Sequence, residues 1–235
     1  MQIEIRKNDH KIIVDDFSAS EMRMCLEEGA TVDFYNIIAS DKGMNTAPRS
    51  LSVVQHKQSI FRFHSVNING GSSSLSLSIR HEGDGAACVL NGCVVAGERD
   101  RVEHNIHIDH QAQYCSSSVL YKYVLSDEAV GVFSGRVLVR KGAQHTISDE
   151  TNNNLCTSRA CRMFTKPELE IYADDVKCSH GSTVGWLNEQ ALFYMQQRGI
   201  PLADAKRMLQ RAFISEVLNR IPDKSRYAHL LSEPV

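Results

Sequence analysis

Short runs of alternating apolar and polar residues fill the chain up to about residue 186. Leu75, Leu77 and Ile79 fall on one face of such a run, and the serines between them fall on the other. A period of two predicts β-strands with one buried face. The runs are separated by Gly, Asn, Asp and Ser, and they lie at 32–38, 51–55, 60–68, 75–79, 87–95, 102–108, 119–125, 130–139 and 169–172.

This strand pattern leaves two architectures open. The Asn91-Gly92 pair lies between two apolar runs, which is typical of an antiparallel hairpin and favours a β-sandwich. Short strands with small residues and polar connections equally favour a solenoid, in which each coil covers the next. The residues alone therefore predict a mainly β domain over 1–186 without deciding between the two.

The pattern changes to a helical period after Trp186. Asn188 is placed to cap a first helix, and Gly199 to end it. Pro201 opens a second helix, which Pro222 ends. The apolar side of the second helix is expected at Leu202, Ala205, Met208, Leu209, Ala212, Phe213 and Val217.

The segment 187–235 is therefore expected to form a separate helical unit. Repeat folds need covered ends, so one interpretation packs these helices over the open end of the β part. A second interpretation makes them a docking site for a partner, with Phe193 and Tyr194 as exposed anchors. The two interpretations are compatible.

Charge and cysteine content narrow the class of protein. The 235 residues carry a net charge of −2, so no electrostatic footprint for nucleic acid or anionic membrane is present. The longest apolar stretches are too short to span a bilayer. An odd number of cysteines, 7, in a chain of this size is typical of reduced thiols and predicts a cytoplasmic protein.

Cys178-Ser179-His180 is the first candidate for chemistry. On a strand, residues two apart share a face, which places the thiol and the imidazole about 7 Å apart. A nearby imidazole lowers the pKa of a thiol and makes it a better nucleophile and metal ligand. Cys and His are also ligands of iron in sulfur-rich sites, so Cys178 and His180 are candidate metal ligands.

Other candidates are weaker. His104, His107 and His110 suggest a metal cluster, but on one strand His107 points away from the other two. Cys88/Cys93 and Cys156/Cys161 are spaced more widely than the usual pairs of structural zinc sites, and burial as small apolar residues is expected for Cys25, Cys88, Cys93 and Cys115. Asp174-Asp175 is expected in a turn. No nucleophile elbow, P-loop or dinucleotide fingerprint is present, so hydrolase, nucleotidase and dehydrogenase functions have no support.

The segment from Thr165 to Phe213 carries a family resemblance. Thr-Lys-Pro-Glu-Leu-Glu-Ile-Tyr-Ala-Asp-Asp-Val-Lys-Cys-Ser-His-Gly, followed from Asn188 by Asn-Glu-Gln-Ala-Leu-Phe-Tyr-Met-Gln-Gln-Arg-Gly-Ile, resembles the SufB/SufD family, in its SufD-like form. Upstream motifs also fit, among them Ile108-Asp109-His110 and Asn152-Asn153-Asn154-Leu155. The resemblance covers nearly the whole chain.

The resemblance implies a scaffold component of the SUF iron–sulfur cluster assembly machinery, with no catalytic turnover of its own. It implies a right-handed parallel β-helix with a C-terminal α-helical segment, which would exclude the sandwich and the hairpin. SufB and the SufC ATPase are the implied partners, with a homodimer where the natural partner is absent. No tightly bound cofactor is implied, but a transient iron or iron–sulfur cluster shared with SufB is.

Site residues carry over from the family position by position. The family histidine falls on His180 and the neighbouring cysteine on Cys178, at the SufB–SufD interface where the nascent cluster forms. In the family the helical region docks SufC, and the candidate docking residues within it here are Phe193, Tyr194, Arg198, Arg207 and Arg211.

Two alternatives to this function stay open. Cys161 lies six residues before Pro167, where SufB proteins have their essential cysteine, so a SufB-like cluster-building role is one alternative. A carbohydrate-active β-helix enzyme is the other, although no carboxylate-lined groove and no secretion signal are visible. Relatives carry a further N-terminal region, so a short form consisting of the core and the C-terminal segment is expected.

Overall fold

A computed structural model describes residues 1–15, 19–38 and 47–231, and the last four residues of the segment assigned to 187–235 lie outside these ranges. In the described residues the chain forms fourteen strands before its helices. They are β1 (Gln2–Ile5), β2 (His10–Val14), β3 (Glu21–Leu26), β4 (Thr31–Ile38), β5 (Arg49–Gln55), β6 (Ile60–Ile68), β7 (Ser73–His81), β8 (Ala87–Ala96), β9 (Arg101–His110), β10 (Ser116–Leu125), β11 (Val130–Val139), β12 (Ile147–Cys156), β13 (Arg162–Ile171) and β14 (Lys177–Trp186).

The strands alternate between two parallel sheets. The odd-numbered strands form one sheet, in the order β1-β3-β5-β7-β9-β11-β13, and the even-numbered strands form the other, from β2 to β14. Each strand pairs in parallel with the strand two places along, as β10 does with β8 and β12. This is a parallel β-solenoid, which confirms the solenoid and rules out the sandwich.

Asn91 and Gly92 lie within strand β8, so the hairpin that this pair favours is wrong. Their positions are set by packing between neighbouring coils. A Cβ at residue 92 would overlap the ring of Tyr121 on the next strand of the sheet, so glycine leaves room for a buried aromatic side chain. Asn91 is itself buried, in a strand that has neighbours on both sides.

The main core lies between the two sheets. Leu75, Leu77 and Ile79 point into it as predicted, while Ser76 is exposed on the other face of β7. Aromatic side chains fill the interior at successive coils; the ring centroids of Phe34 and Phe63 are 5.6 Å apart. Because every coil buries its apolar face against the next, the strands can be short and still form a continuous core.

Two α-helices follow the last strand: α1 (Glu189–Gln197) and α2 (Leu202–Asn219). Short 3-10 helices at Lys224–Arg226 and Ala228–Leu231 end the described chain. The predicted caps are confirmed: the Asn188 side chain accepts a hydrogen bond from the Ala191 amide at 3.1 Å. Gly199, with φ of +82°, follows the C-terminal end of α1, and Pro201 immediately precedes α2.

Helix α2 packs on the outer face of the even-numbered sheet, against β8 and β10. Ile214, Val217 and Leu218 form a second apolar cluster with residues such as Leu120 and Val124. Helix α2 therefore lies along the flank of the solenoid, and the expectation that the helical segment packs over its open end is wrong for this helix. The apolar side also lies further along α2 than predicted, since Leu202 and Met208 are exposed.

Candidate functional site

Strand β14 is the edge strand of the even-numbered sheet and carries the Cys-Ser-His motif. Cys178 and His180 pair in register with Ser148 and Glu150 of β12, which are both buried. Side chains at paired positions of neighbouring parallel strands point to the same face. The thiol and the imidazole therefore lie on the inward face of β14, as the spacing of two predicts.

The last coil, formed by β13 and β14, is far more exposed than the preceding coil of β11 and β12. Thr165 and Ser182 hydroxyls lie 2.9 Å apart and join its two strands across the interior. Phe164, Val184 and Trp186 are exposed, Trp186 by 60%. In the part of the chain that the structure describes, no further strand extends either sheet beyond β13 and β14. The inward face that carries Cys178 and His180 is consequently open at this end.

Cys178 is half-buried and packs against the edge of the main core. Burial raises the pKa of its thiol, and a hydrogen bond from the backbone of Ser148 opposes that shift only in part. The expectation that a neighbouring imidazole lowers this pKa is therefore wrong for the chain alone. The thiol is protonated at neutral pH and must lose its proton before it can bind a metal ion.

His180 is exposed on the same face. Within the described ranges, no side chain forms a hydrogen bond or an ion pair with its imidazole. Its ring nitrogens are therefore available to an external ligand. An imidazole of this kind is a common metal ligand.

Glu150 on β12, the register partner of His180, is a residue that the sequence pattern did not single out. Its carboxylate is buried, and neither oxygen has a hydrogen-bond partner among the described residues. Burial, with a smaller contribution from the charge of Asp149, raises the pKa of Glu150 to about 7. Gly135 faces it, and a Cβ at that position would overlap the carboxylate. The signal in the sequence is the polar run Ser148, Glu150, Asn152, Asn154, which occupies positions that should be apolar in a core strand.

The asparagines of this run attach the last strand to the solenoid. Asn154 donates a hydrogen bond to the Thr183 carbonyl at 2.9 Å and a second to the Asn152 side chain at 2.7 Å. Asn152 in turn donates to the Tyr121 carbonyl at 3.3 Å. These bonds cross three consecutive strands of the sheet and fix the strand that carries Cys178 and His180.

Cys161 lies at the opposite end of the same coil. It is buried, and its Sγ donates to the Ser158 carbonyl at 3.1 Å. Its neighbour is Cys156, whose pKa burial raises to about 12. Cys156 is eight residues along β12 from Ser148, the register partner of Cys178, which is roughly 26 Å in a strand. The structure does not bring Cys161 together with Cys178 and His180.

The five helical candidates are distributed over both helices. No described side chain of α1 is buried, and Phe193 is 63% exposed and Tyr194 59% exposed. The guanidinium of Arg198 lies 5.1 Å from the centroid of the Tyr194 ring. On α2, Arg207 forms an ion pair with Asp204. Arg211 borders a groove of about 320 Å³ with Ile214, Ser215, Leu218, Asn219, Lys224, Tyr227 and Ala228.

The histidine-rich strand β9 behaves as the strand geometry predicts. His104 and His110 are buried on the inward face, and His107 is half-buried on the other. His104 makes a 2.6 Å hydrogen bond with the Tyr123 hydroxyl. One strand therefore does not bring all three histidines to one point. Asp175 lies in a bend after β13 and pairs with His145 at 2.9 Å, which confirms the predicted turn.

The fold and the site together define a class of protein: a parallel β-solenoid whose open last coil carries an inward Cys-X-His motif. Comparison with known sequences identifies the family. Residues 3–213 match the family described as SUF system FeS cluster assembly, SufBD core domain, so the chain belongs to this family. It is SufD-like. Iron-sulfur cluster assembly protein SufD of Escherichia coli is 33% identical over 169 residues, which are 72% of this chain and 40% of that protein.

Two further relatives give the same result. An iron-sulfur cluster assembly SufBD family protein of Synechocystis is 35% identical over 184 residues, 77% of this chain and 40% of the relative. One of Mycobacterium leprae is 32% identical over 173 residues, 70% of this chain and 44% of the relative. The chain thus spans about two fifths of the length of the curated relatives it matches. Neither α1 nor α2 is long and apolar enough to cross a membrane, and the same holds for the other described helices.

Proposed function

We propose that this chain is a SufD-like scaffold subunit of the SUF machinery, which takes part in iron supply and nascent cluster assembly without catalytic turnover of its own. One observation carries the proposal: the open last coil presents Cys178 and His180 on its inward face. Thiolate and imidazole are suitable ligands for iron. Two ligands are too few for a closed site, so the remaining ligands come from a partner subunit, SufB, and the cluster is transient.

Pairing with SufB is proposed at this same end of the solenoid. Among the residues that the structure describes, β13 and β14 have no further strand paired to their outer edges, and exposed Phe164, Val184 and Trp186 flank the opening. An exposed strand edge with apolar side chains favours pairing with another chain. A second copy of this chain is the expected occupant when SufB is absent.

Docking of the SufC ATPase is proposed on the helical unit. Phe193 and Tyr194 on α1, with Arg198 at its C-terminal end, form an exposed aromatic and cationic surface, and Arg207 and Arg211 are further cationic candidates on α2. Aromatic and arginine side chains are enriched among the residues that dominate binding energy at protein interfaces. A cytoplasmic location agrees with the seven free cysteines.

Co-expression with SufB and SufC, followed by anaerobic purification, tests the function. We expect a complex of all three proteins that forms an iron–sulfur cluster, and a several-fold loss of cluster iron in His180→Ala. Ser179→Ala, on the opposite face of the same strand, is the matched control and should retain the cluster. Retention of the full cluster by His180→Ala would contradict the proposal.

A SufB-like function based on Cys161 is the alternative, and it is tested on the isolated chain. The adjacent thiols of Cys156 and Cys161 favour it, because they offer two sulfur atoms at one place. Anaerobic reconstitution of the isolated chain with iron and sulfide separates the two functions. A visible-absorbing cluster that is lost in Cys161→Ala supports the alternative, and the absence of a stable cluster without SufB supports the scaffold.

A further inference from the structure

A second group of metal-ligating side chains lies away from the last coil, at the corner where the odd-numbered strands end. Gln55, His81 and His110 are the last residues of β5, β7 and β9 and stand in direct register with one another. Cys115 immediately precedes β10. All four are buried. The solenoid thereby places two imidazoles edge to face, with ring centroids 4.6 Å apart, and brings a thiol beside them.

The potential ligand atoms of His81, His110 and Cys115 all lie within 4.8 Å of one another. The Nδ1 atoms of the two histidines are 3.0 Å apart. A tetrahedral ion bound to both nitrogens needs a separation of about 3.3 Å between them, and about 3.6 Å between each nitrogen and a thiolate. The two Nδ1 atoms are thus about 0.3 Å closer together than this geometry needs, and no pair of ligand atoms is more than about 1.2 Å too far apart.

Hydrogen bonds fix which nitrogen of His81 is available. The Nε2 of Gln55 donates to the carbonyls of Ser59 and Ala87, at 3.1 and 2.9 Å, so the other amide atom is an acceptor. This oxygen lies 3.1 Å from Nε2 of His81, which must therefore donate its proton to it. The Nδ1 of neutral His81 carries a lone pair, directed toward His110.

His110 has an alternative partner on its far side. Its Nε2 lies 3.0 Å from the Ser117 hydroxyl, which is 2.7 Å from the Ser148 hydroxyl. A hydroxyl either donates or accepts, so Nε2 of His110 can be protonated or unprotonated. Without a metal ion, His110 keeps its proton on Nδ1 and donates it to His81. With an ion, the proton moves to Nε2 and Nδ1 is released.

We propose that His81, His110 and Cys115 form a binding site for a divalent transition-metal ion of the Zn²⁺ or Fe²⁺ type. Two imidazoles and one thiolate suit these ions and are poor ligands for Mg²⁺ or Ca²⁺. Gln55 and Ser117 orient the two rings through their Nε2 atoms, as the outer partners of metal-bound histidines do. Three protein ligands leave one coordination position open.

Binding releases one proton and changes no oxidation state. The Cys115 thiol loses its proton to solvent and its sulfur binds the ion, while both imidazoles stay neutral. Burial raises the pKa of this thiol to about 11 and lowers that of His110 to about 4. The imidazole is therefore neutral at physiological pH, and the metal ion must displace the thiol proton.

This site is independent of the proposed cluster-assembly function. Ser117, Ser148 and Cys178 stand in register on β10, β12 and β14, so about 10 Å, two strand spacings, separates Ser117 from Cys178. The two sites have no residue in common. Each can be lost without the other, and their tests can be separated.

Cobalt is the probe for the experiment, because a thiolate bound to Co²⁺ gives a charge-transfer absorption. The full chain is unfolded with chelator and refolded with Co²⁺, so that slow access to a buried site does not limit binding. We expect a thiolate–cobalt absorption that saturates at one equivalent and is bleached by Zn²⁺. Cys115→Ser should abolish the absorption, and Gln55→Leu should weaken Co²⁺ affinity about 10–100-fold.

Cys178→Ser and Cys161→Ser are the matched controls and should keep the cobalt absorption. Circular dichroism of each variant shows whether it is folded. For the unsubstituted chain, excess Zn²⁺ should also raise the thermal midpoint, since an ion that binds only the folded state stabilises it. A folded chain with no thiolate–cobalt absorption, or an absorption that survives Cys115→Ser and is lost in Cys178→Ser, would overturn the site.

Discussion

Glu150 shows how a single buried carboxyl group makes the stability of this protein depend on pH. Its pKa of about 7 in the folded chain lies above the ordinary value of 4.5, because burial disfavours the charged form. Between these two pH values the folded chain binds more protons than the unfolded chain. The free energy of unfolding contributed by this group therefore falls as pH rises from about 4.5 to about 7 and then levels off.

Glu150→Gln should remove this dependence. Between pH 4.5 and pH 8, we expect the free energy of unfolding of the variant to rise by about 3 kcal/mol relative to that of the unsubstituted chain. Each unit of pKa corresponds to about 1.4 kcal/mol. Urea unfolding of both chains at pH 4.5 and pH 8 measures the difference. Parallel pH profiles of the two chains would show that the carboxyl group is not buried as described.

Gly92 is required by the ring of Tyr121 rather than by a backbone turn. We expect Gly92→Ala to lower the free energy of unfolding by about 1–3 kcal/mol, because the added methyl group overlaps a buried ring that cannot move away. Gly185→Ala in β14, where a Cβ meets no atom within 4 Å, is the control. Equal urea midpoints for the two variants would contradict this explanation of the glycine.

Helix α2 is attached to the solenoid by one buried lysine in addition to its apolar face. Lys122 on β10 donates to the Phe213 carbonyl at 2.8 Å and pairs with Glu216 at 2.6 Å. Its ammonium also lies 4.6 Å from the centroid of the Phe213 ring. The Lys122 side chain thus contacts a backbone carbonyl, a carboxylate and an aromatic ring of the same helix.

Lys122→Met should loosen the helix without unfolding the strands. We expect the free energy that holds α2 on the solenoid to fall by about 1.5–3 kcal/mol, the usual contribution of hydrogen bonds to a charged group. Hydrogen exchange should accelerate in α2 and remain slow in β8 to β12. Lys141→Met, at an exposed turn, is the control. Uniform acceleration over the whole chain would show that the helix and the solenoid unfold as one unit.

Helix α1 is the element on which the proposed SufC docking depends most. Phe193→Ala should weaken SufC binding about 10–100-fold, as expected when an aromatic anchor is truncated at an interface. Tyr114→Ala removes an equally exposed aromatic ring, from the turn between β9 and β10, and should leave binding unchanged. Calorimetric titration of SufC into each variant measures the affinity. Equal affinities of Phe193→Ala and Tyr114→Ala for SufC would show that α1 is not part of the interface.

The elements that the sequence predicted well are those whose signal is local. The alternation of Leu75, Leu77 and Ile79 predicted an inward strand face, and Asn188 predicted the start of α1. Local patterns failed where contacts between distant coils decide. Asn91-Gly92 has the composition of a turn, but the neighbouring Tyr121, about thirty residues away, requires the glycine within a strand.

The candidate site also combines features that follow from local sequence with features that depend on distant coils. The shared face of Cys178 and His180 follows from strand periodicity, and the structure confirms it. The buried carboxyl of Glu150 and the stacked Gln55, His81 and His110 depend on the coil-to-coil register, which no single stretch of sequence contains. Placement of helix α2 on the flank rather than the end likewise depends on an apolar outer sheet face, formed by strands far apart in the chain.

At the scale of the whole molecule, the two edges of the described solenoid differ in chemistry. The β14 end carries Cys178, His180 and the exposed Val184, and it is the end that we propose for SufB. The β2 end carries exposed Ile12 on the opposite edge of the same sheet. Both ends offer strand edges and apolar side chains, so exposure alone does not choose between them. The choice rests on the Cys-X-His motif.

The most direct test of the scaffold function is the affinity of this chain for SufB when each end is altered in turn. Val184→Lys introduces a charge at the proposed interface, and Ile12→Lys introduces the same charge at the other end. We predict that Val184→Lys weakens SufB binding at least about tenfold, while Ile12→Lys leaves it unchanged. Unchanged SufB binding by Val184→Lys, with loss of binding by Ile12→Lys, would contradict the account.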